Sequence, residues 1–383
     1  MKFFPCVAIA LAAVACAAHA APAQLNTDEA RHLLIRTGFA PSTAELNAVT
    51  GRSAEQAIDD IIAAARRTQP HHPLPPEAIA APPTQQEVQA MSRDERQLAR
   101  REQIREGTGI KEWWMREMVE TPTPLAERMT LFWHGHFATS QQKVVRADAM
   151  WRQQQLFRAN ALGSFRDMLH GVARDPAMLV YLDGARNRKE APNENFAREV
   201  MELFTLGEAT QGGGYTEQDI REAARAFTGW SLERDDFSFR FRPALHDFGS
   251  KTVLGKAGNF DGDQVLDILL EQPQAARFIV DKLWVEFVSP TPDPREVERI
   301  AQRFRSSNYD VAVAMHELLL SRDFWDPANR NSLVKSPVEL VVGAVRELGM
   351  QPQDVKPMVQ KSAQLGQNLL VPPNVKGWPG YTE

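Results

Sequence analysis

The stretch Asn193-Glu-Asn-Phe-Ala-Arg-Glu-Val-Met-Glu-Leu-Phe-Thr-Leu-Gly207 sets the fold class of this 383-residue chain. Phe196, Val200, Leu203 and Phe204 fall on one stripe of a 3.6-residue period, and Asn195, Arg198, Glu199 and Glu202 fall on another, so the segment predicts an amphipathic helix. Gly207 supplies the residue that stops it. The same helical punctuation recurs on either side. Asn26 with Glu29, Ser42 with Glu45, Ser53 with Gln56 and Thr84 with Glu87 have the capping spacing and predict four short N-terminal helices. Residues 69–84 are rich in proline and alanine and predict an exposed loop. The densely charged run 85–105 suits a solvated helix broken at Gly107 and Gly109, and Pro124 behind Thr123 opens a helix over 125–137. Thr216 caps a helix running towards Trp230. Phe237, Phe239 and Phe241 alternate with Ser238, Arg240 and Arg242 at the period of a strand, and a hairpin closes near Thr252 to Leu254. From Asp263 to Gln367 helices return, separated by prolines. The expected fold is mainly α: one multi-helix globular domain over residues 21–383, with one small β-hairpin near 237–254.

Residues 1–20 read as a cleavable secretory signal. Lys2 supplies the positive charge, 7–17 form an apolar run too short to span a bilayer, and Ala18 and Ala20 present small residues for cleavage. Lipid attachment at Cys16 is the rival reading, weakened by Ala13 where a lipobox has leucine. Later apolar stretches such as 278–288 are interrupted by Asp281, Lys282 and Glu286, so no transmembrane anchor is expected in the mature chain, which is placed in the periplasm or outside the cell. Both cysteines, Cys6 and Cys16, lie in the signal, which removes disulfides and thiolate ligands from the mature protein. The net charge of −5 carries no electrostatic footprint for nucleic acid.

Chemistry is therefore sought among histidines and carboxylates. In Leu-Phe-Trp-His-Gly-His-Phe (131–137), His134 and His136 converge if the helix ends at Gly135, and then form a pair of metal ligands or an acid–base couple. Satisfied core histidines are the plainer alternative. Glu199 and Glu202, three apart, offer a carboxylate ligand and a general base beside Arg198, which would hold an anion; a solvated Arg/Glu face has the same pattern. His246, Asp247 and Lys251 offer a ligand, an orienting carboxylate and a positive charge for a transition state, or an incidental turn. Lys376-Gly-Trp-Pro-Gly380 could floor a pocket or pin the last loop. His316-Glu317 lacks the second histidine of a zinc protease, Gly212 to Gly214 lacks the lysine of a phosphate-binding loop, and Asp261 reads as a helix cap rather than part of a calcium loop.

Five motifs in series, His32 to Phe39, Phe132 to Phe137, Asn193 to Gly207, His246 to Gly255 and Lys376 to Gly380, make the chain resemble the bacterial family called domain of unknown function 1800, from about Glu29 to the end. The resemblance implies a secreted, helix-rich bacterial protein and no particular activity. It also implies a functional partner from a second exported family, domain of unknown function 1501, which is similar to sulfatases and alkaline phosphatases. Members continue past the Lys-Gly-Trp turn with another glycine, a tryptophan and a final helix. A chain stopping at Glu383 implies truncation or a different closure. Together these readings predict a metal-dependent hydrolytic or oxidative enzyme: His134, His136, His246 and Glu202 (or Glu199) bind a divalent or transition metal, Asp247 orients His246, Glu199 acts as base, and Arg198 and Lys251 hold negative charge. The competing expectation is a non-catalytic envelope-binding module whose polar residues fix the fold.

Overall fold

A computed structural model describes residues 21–67, 69–74, 82–234 and 236–379. The signal segment, the middle of the proline-rich stretch and Gly380 lie outside the described residues. The chain is mainly helical, and among the described residues the strands form two small antiparallel pairs.

The capping signals act where the sequence places them. Asn26, Ser42 and Thr84 each close a reciprocal box with the glutamate three residues on, opening the helices Thr27–Arg36, Thr43–Val49 and Gln85–Ala90. Ser53 accepts from the Gln56 amide at the head of Ala54–Arg67. The expected break at Gly107 and Gly109 does not occur. The chain turns at Met91 instead, Ser92 caps a new helix, and Arg93–Glu120 runs unbroken for 28 residues. Gly107 lies inside that helix because the Gln141 side chain packs where its Cβ would be. Beyond it Ile110, Trp114, Met115 and Met118 are fully buried, which anchors the C-terminal half.

Buried apolar side chains form two clusters. The larger unites the N-terminal helices with Phe196, Val200, Leu203 and Phe204 of the opening stretch and with Ile279, Leu283 and Phe287. The smaller gathers Trp113, Trp114 and Met118 against Val338, Val342, Leu369 and Leu370. The helix Pro124–His136 runs between them, giving Met129 and Trp133 to the first and Leu131 to the second. Its C-terminal residues are thereby brought close to several other elements.

The described residues hold two hairpins where one was expected. Trp230–Leu232 pairs with Phe239–Phe241, Trp230 facing Phe241, while Lys251–Val253 pairs with Lys256–Gly258. Phe237 has φ 58 and so stands outside the strand that its alternation suggested. The second hairpin turns on Leu254 and Gly255, both at positive φ, which suits the right-handed twist of the strands. Among the described residues no helix is long and apolar enough to cross a membrane.

Candidate functional site

The opening stretch begins as the α-helix Glu194–Glu199, with Asn193 as its cap, and then loosens into one π-helical segment, Val200–Thr205. The Leu206 amide reaches back five residues to the Met201 carbonyl (2.8 Å), and the Thr205 hydroxyl donates to the Val200 carbonyl (2.6 Å). Gly207, at φ 83, ends the segment. A π-turn shifts the register of the helical ladder and re-aims carbonyls. Here three carbonyls accept from side chains of other elements: Phe204 from His136 Nε2 (3.2 Å), Leu203 from Lys282 Nζ (3.4 Å) and Leu206 from Gln274 Nε2 (3.2 Å).

The two histidines of 131–137 do not converge. The helix continues through Gly135 to His136, and residues two apart on a helix point to nearly opposite sides. His134, fully buried, packs edge-on to Trp114 and Trp378, and its Nε2 accepts from the Leu370 amide (3.2 Å). Burial, aided by the charge of Lys111, pushes its pKa down to about 3, so it is neutral. His136 lies flat against Phe132. Its Nε2–H donates to the Phe204 carbonyl, which leaves Nδ1 to accept from Lys282 Nζ at 3.1 Å. Burial, with Lys282 beside it, holds His136 well below the usual histidine range.

Lys282 belongs to the helix Pro273–Phe287, and burial pushes its amine down to about 8. It lies over the Phe278 ring, 4.7 Å from the centroid. Lys282 and His136 line a cleft of about 610 Å³ walled by Phe132, Phe278, Trp378 and the half-buried Asp281. Burial raises the Asp281 carboxyl above its ordinary value. Gly377, at φ 86, seats the Lys-Gly-Trp turn against the Gly135 carbonyl, a contact that any Cβ at 377 would prevent. That turn does contribute Trp378 to a pocket wall. An amine lowered towards neutrality, a neutral imidazole of fixed tautomer and a raised carboxyl in one cleft can move protons.

The remaining expected site residues lie in other surroundings. Arg198 is engaged by both carboxylate oxygens of Glu217 at 2.7 Å, and by Glu194, so it does not offer an open anion grip. Glu199 and Glu202 are half-buried; burial and then the neighbouring Glu202 raise Glu199, against the pull of Arg198 and Lys376. Lys376 itself pairs with Glu208 (3.1 Å). His246 is buried between Phe241 and Phe248, and its Nδ1 donates to the Thr228 carbonyl (2.8 Å). Asp247 is bound to Arg225 Nε (2.7 Å) and the Gly249 amide (2.8 Å), and does not orient the His246 ring. Lys251, also buried, donates to the carbonyls of Asp247 (2.6 Å) and Gly249 (2.9 Å). Its ammonium ties the turn together instead of facing a substrate.

Among the described residues, His134, His136, Glu202 and His246 therefore do not assemble as one ligand set. Among the described residues, His71, His72 and Glu120 instead bring one ligand atom each within 4.8 Å of one another. Sequence reasoning missed Lys282 and Asp281, although their signal was visible. They interrupt the apolar run 278–288, where they counted only against a membrane span.

Residues 32–383 match the family model described as "Protein of unknown function (DUF1800)". The chain belongs to that family, as its five motifs imply. No curated protein and no solved structure matches it.

Proposed function

We propose that the cleft floored by Lys282 and His136 is the working site of an enzyme that exchanges a proton with a small ligand. The ligand presents an acceptor oxygen to the Lys282 ammonium and an apolar body to Phe132, Phe278 and Trp378. The observation that carries this reading is the 3.1 Å contact of Lys282 Nζ with His136 Nδ1 beside a cleft of about 610 Å³. The Phe204 carbonyl keeps the imidazole proton on Nε2, so Nδ1 always accepts. The amine is poised to give or take a proton near neutral pH. Asp281 supplies a carboxyl whose raised pKa suits the complementary role.

Amine-reactive labelling of the folded protein across pH, read at Lys282 by mass spectrometry, tests the proposal. Half-maximal labelling near pH 8 is expected, moving upward by more than a unit on unfolding in urea. A midpoint near the ordinary lysine value in the folded chain would overturn it.

The same reading takes the protein to work outside the cytoplasm, because residues 1–20 have the pattern of a secretory signal. An exported partner of the domain of unknown function 1501 family is supported by the family resemblance. Co-purification from the periplasm, with and without the Lys282→Met substitution, tests whether such a partner depends on this cleft.

A further inference from the structure

We propose that His71, His72 and Glu120 form a binding site for one divalent transition-metal ion of the zinc class, separate from the Lys282 cleft. The site lies where the start of the proline-rich stretch returns onto the helix Arg93–Glu120. Trp113, Glu117 and Glu120 stand at spacings of four and three on that helix and so share one face. The first two hold the backbone of the returning segment. Trp113 Nε1 donates to the His72 carbonyl (2.8 Å), and the Glu117 carboxylate accepts from the amides of His71 (2.7 Å) and His72. These clamps use main-chain groups only, which leaves both imidazoles to meet the third residue of the face.

His72 Nε2 lies 2.8 Å from Glu120 Oε2, and the His71 and His72 rings stand edge to face with centroids 4.6 Å apart. One ligand atom from each of the three side chains lies within 4.8 Å of the other two. Donors around a tetrahedral zinc ion are roughly 3.3 Å apart, given bonds of about 2 Å. The remaining distance is closed by a rotamer change of His71, whose ring is exposed. Arg116 Nη1 holds the other oxygen of Glu120 at 3.0 Å, fixing the carboxylate with Oε2 towards His72. The positive charge of Arg116 opposes a cation, but its guanidinium is drawn towards the carbonyls of Pro352 and Gln353, and the Glu117 carboxylate adds negative charge at the His71 and His72 amides.

Two imidazole nitrogens and one carboxylate oxygen suit zinc, cobalt, nickel or copper and not calcium or magnesium, which take oxygen ligands. Three protein donors leave one tetrahedral position to water. A bound ion would also staple the proline-rich stretch to the long helix and stabilise the folded state by mass action.

The test is a titration of the tag-free full-length chain, stripped with chelator, using cobalt(II) as the probe and its visible ligand-field absorption as the readout. One equivalent is expected to bind, to be displaced by zinc, and to raise the melting temperature. His71→Ala and Glu120→Gln should each weaken binding at least tenfold, and His72→Ala should abolish the absorption, with circular dichroism unchanged. The exposed His71 ring makes its variant safe for folding. Absence of binding at millimolar cobalt, or binding that survives both histidine substitutions, overturns the site.

Discussion

Two lysines of this protein sit in similar company and do different things. Lys282 adjoins His136 and Asp281, and Lys251 follows closely on His246 and Asp247. Burial lowers the pKa of both amines. Lys251, however, spends its protons on two backbone carbonyls of its own turn, and the nearby Asp247 is taken by Arg225. Lys282 donates to a ring nitrogen and a π-turn carbonyl, and lines an open cleft. A cluster of histidine, carboxylate and lysine is thus a scaffold when its donors close on local main chain. It becomes a site when they converge from distant elements on shared space.

The comparison is broken most readily by stability. Lys251→Ala leaves the carbonyls of Asp247 and Gly249 without their donor, and a loss of about 2–4 kcal/mol in urea unfolding is expected. Lys282→Met, which replaces a desolvated ammonium beside open space, should stay within about 1 kcal/mol of the parent or gain stability. Equal losses for the two would erase the distinction. A smaller effect, about 1–3 kcal/mol, is expected for Gly377→Ala, which combines a positive φ with the lost approach to Gly135. If that variant also changes the labelling of Lys282, the C-terminal turn shapes the cleft.

The pH dependence sharpens the contrast further. Burial puts His32 at about 4, His134 at about 3 and His136 well below 6.5. As pH falls below 6.5 the unfolded chain takes up these protons first, so their contribution is full above 6.5 and is lost towards the folded values. His170 acts in the opposite sense, because its hydrogen bonds to Asp263 and Asp267 raise it. Stability measured from pH 7 to 4 should therefore fall less steeply in His134→Gln than in the parent. Lys282 gives a rise instead: the folded amine releases its proton near 8 and the unfolded one near 10.5, so stability climbs with pH between them, and Lys282→Met should remove that climb. The smallest effect belongs to Arg198→Ala. Its partly exposed ion pairs with Glu217 and Glu194 predict less than about 1 kcal/mol, and no change at the cleft.

Much of this was legible in the chain. Capping pairs located helix starts at Asn26, Ser42, Ser53 and Thr84, and cap residues those at Thr216 and Asp261, because the signal and the bond lie within four residues. The apolar stripe of 193–207 correctly named Phe196, Val200, Leu203 and Phe204 as core. Three kinds of fact were hidden. Gly107 looks like a breaker until Gln141 arrives from another element to occupy its missing side chain. Phe239–Phe241 pairs upstream with Trp230–Leu232, and alternation alone carries no information about partner or register. The π-turn was hidden as well, since Phe196, Val200, Leu203 and Phe204 are all buried although the ladder changes register from Val200. The stretch that promised ligands through Glu199 and Glu202 delivers carbonyls to His136 and Lys282 instead.

The sequence by itself determined a helical protein of the DUF1800 family, where several of its helices begin, and the apolar face that 193–207 buries. All of these rest on interactions within a few residues or on motif order. Only the tertiary structure decided what the polar residues do. A histidine's partner, a lysine's proton and a carboxylate's reach depend on groups brought together from positions such as 136, 204 and 282, or 72 and 120. Burial, which sets their charge, is a property of the packed fold and not of the neighbouring residues in the chain.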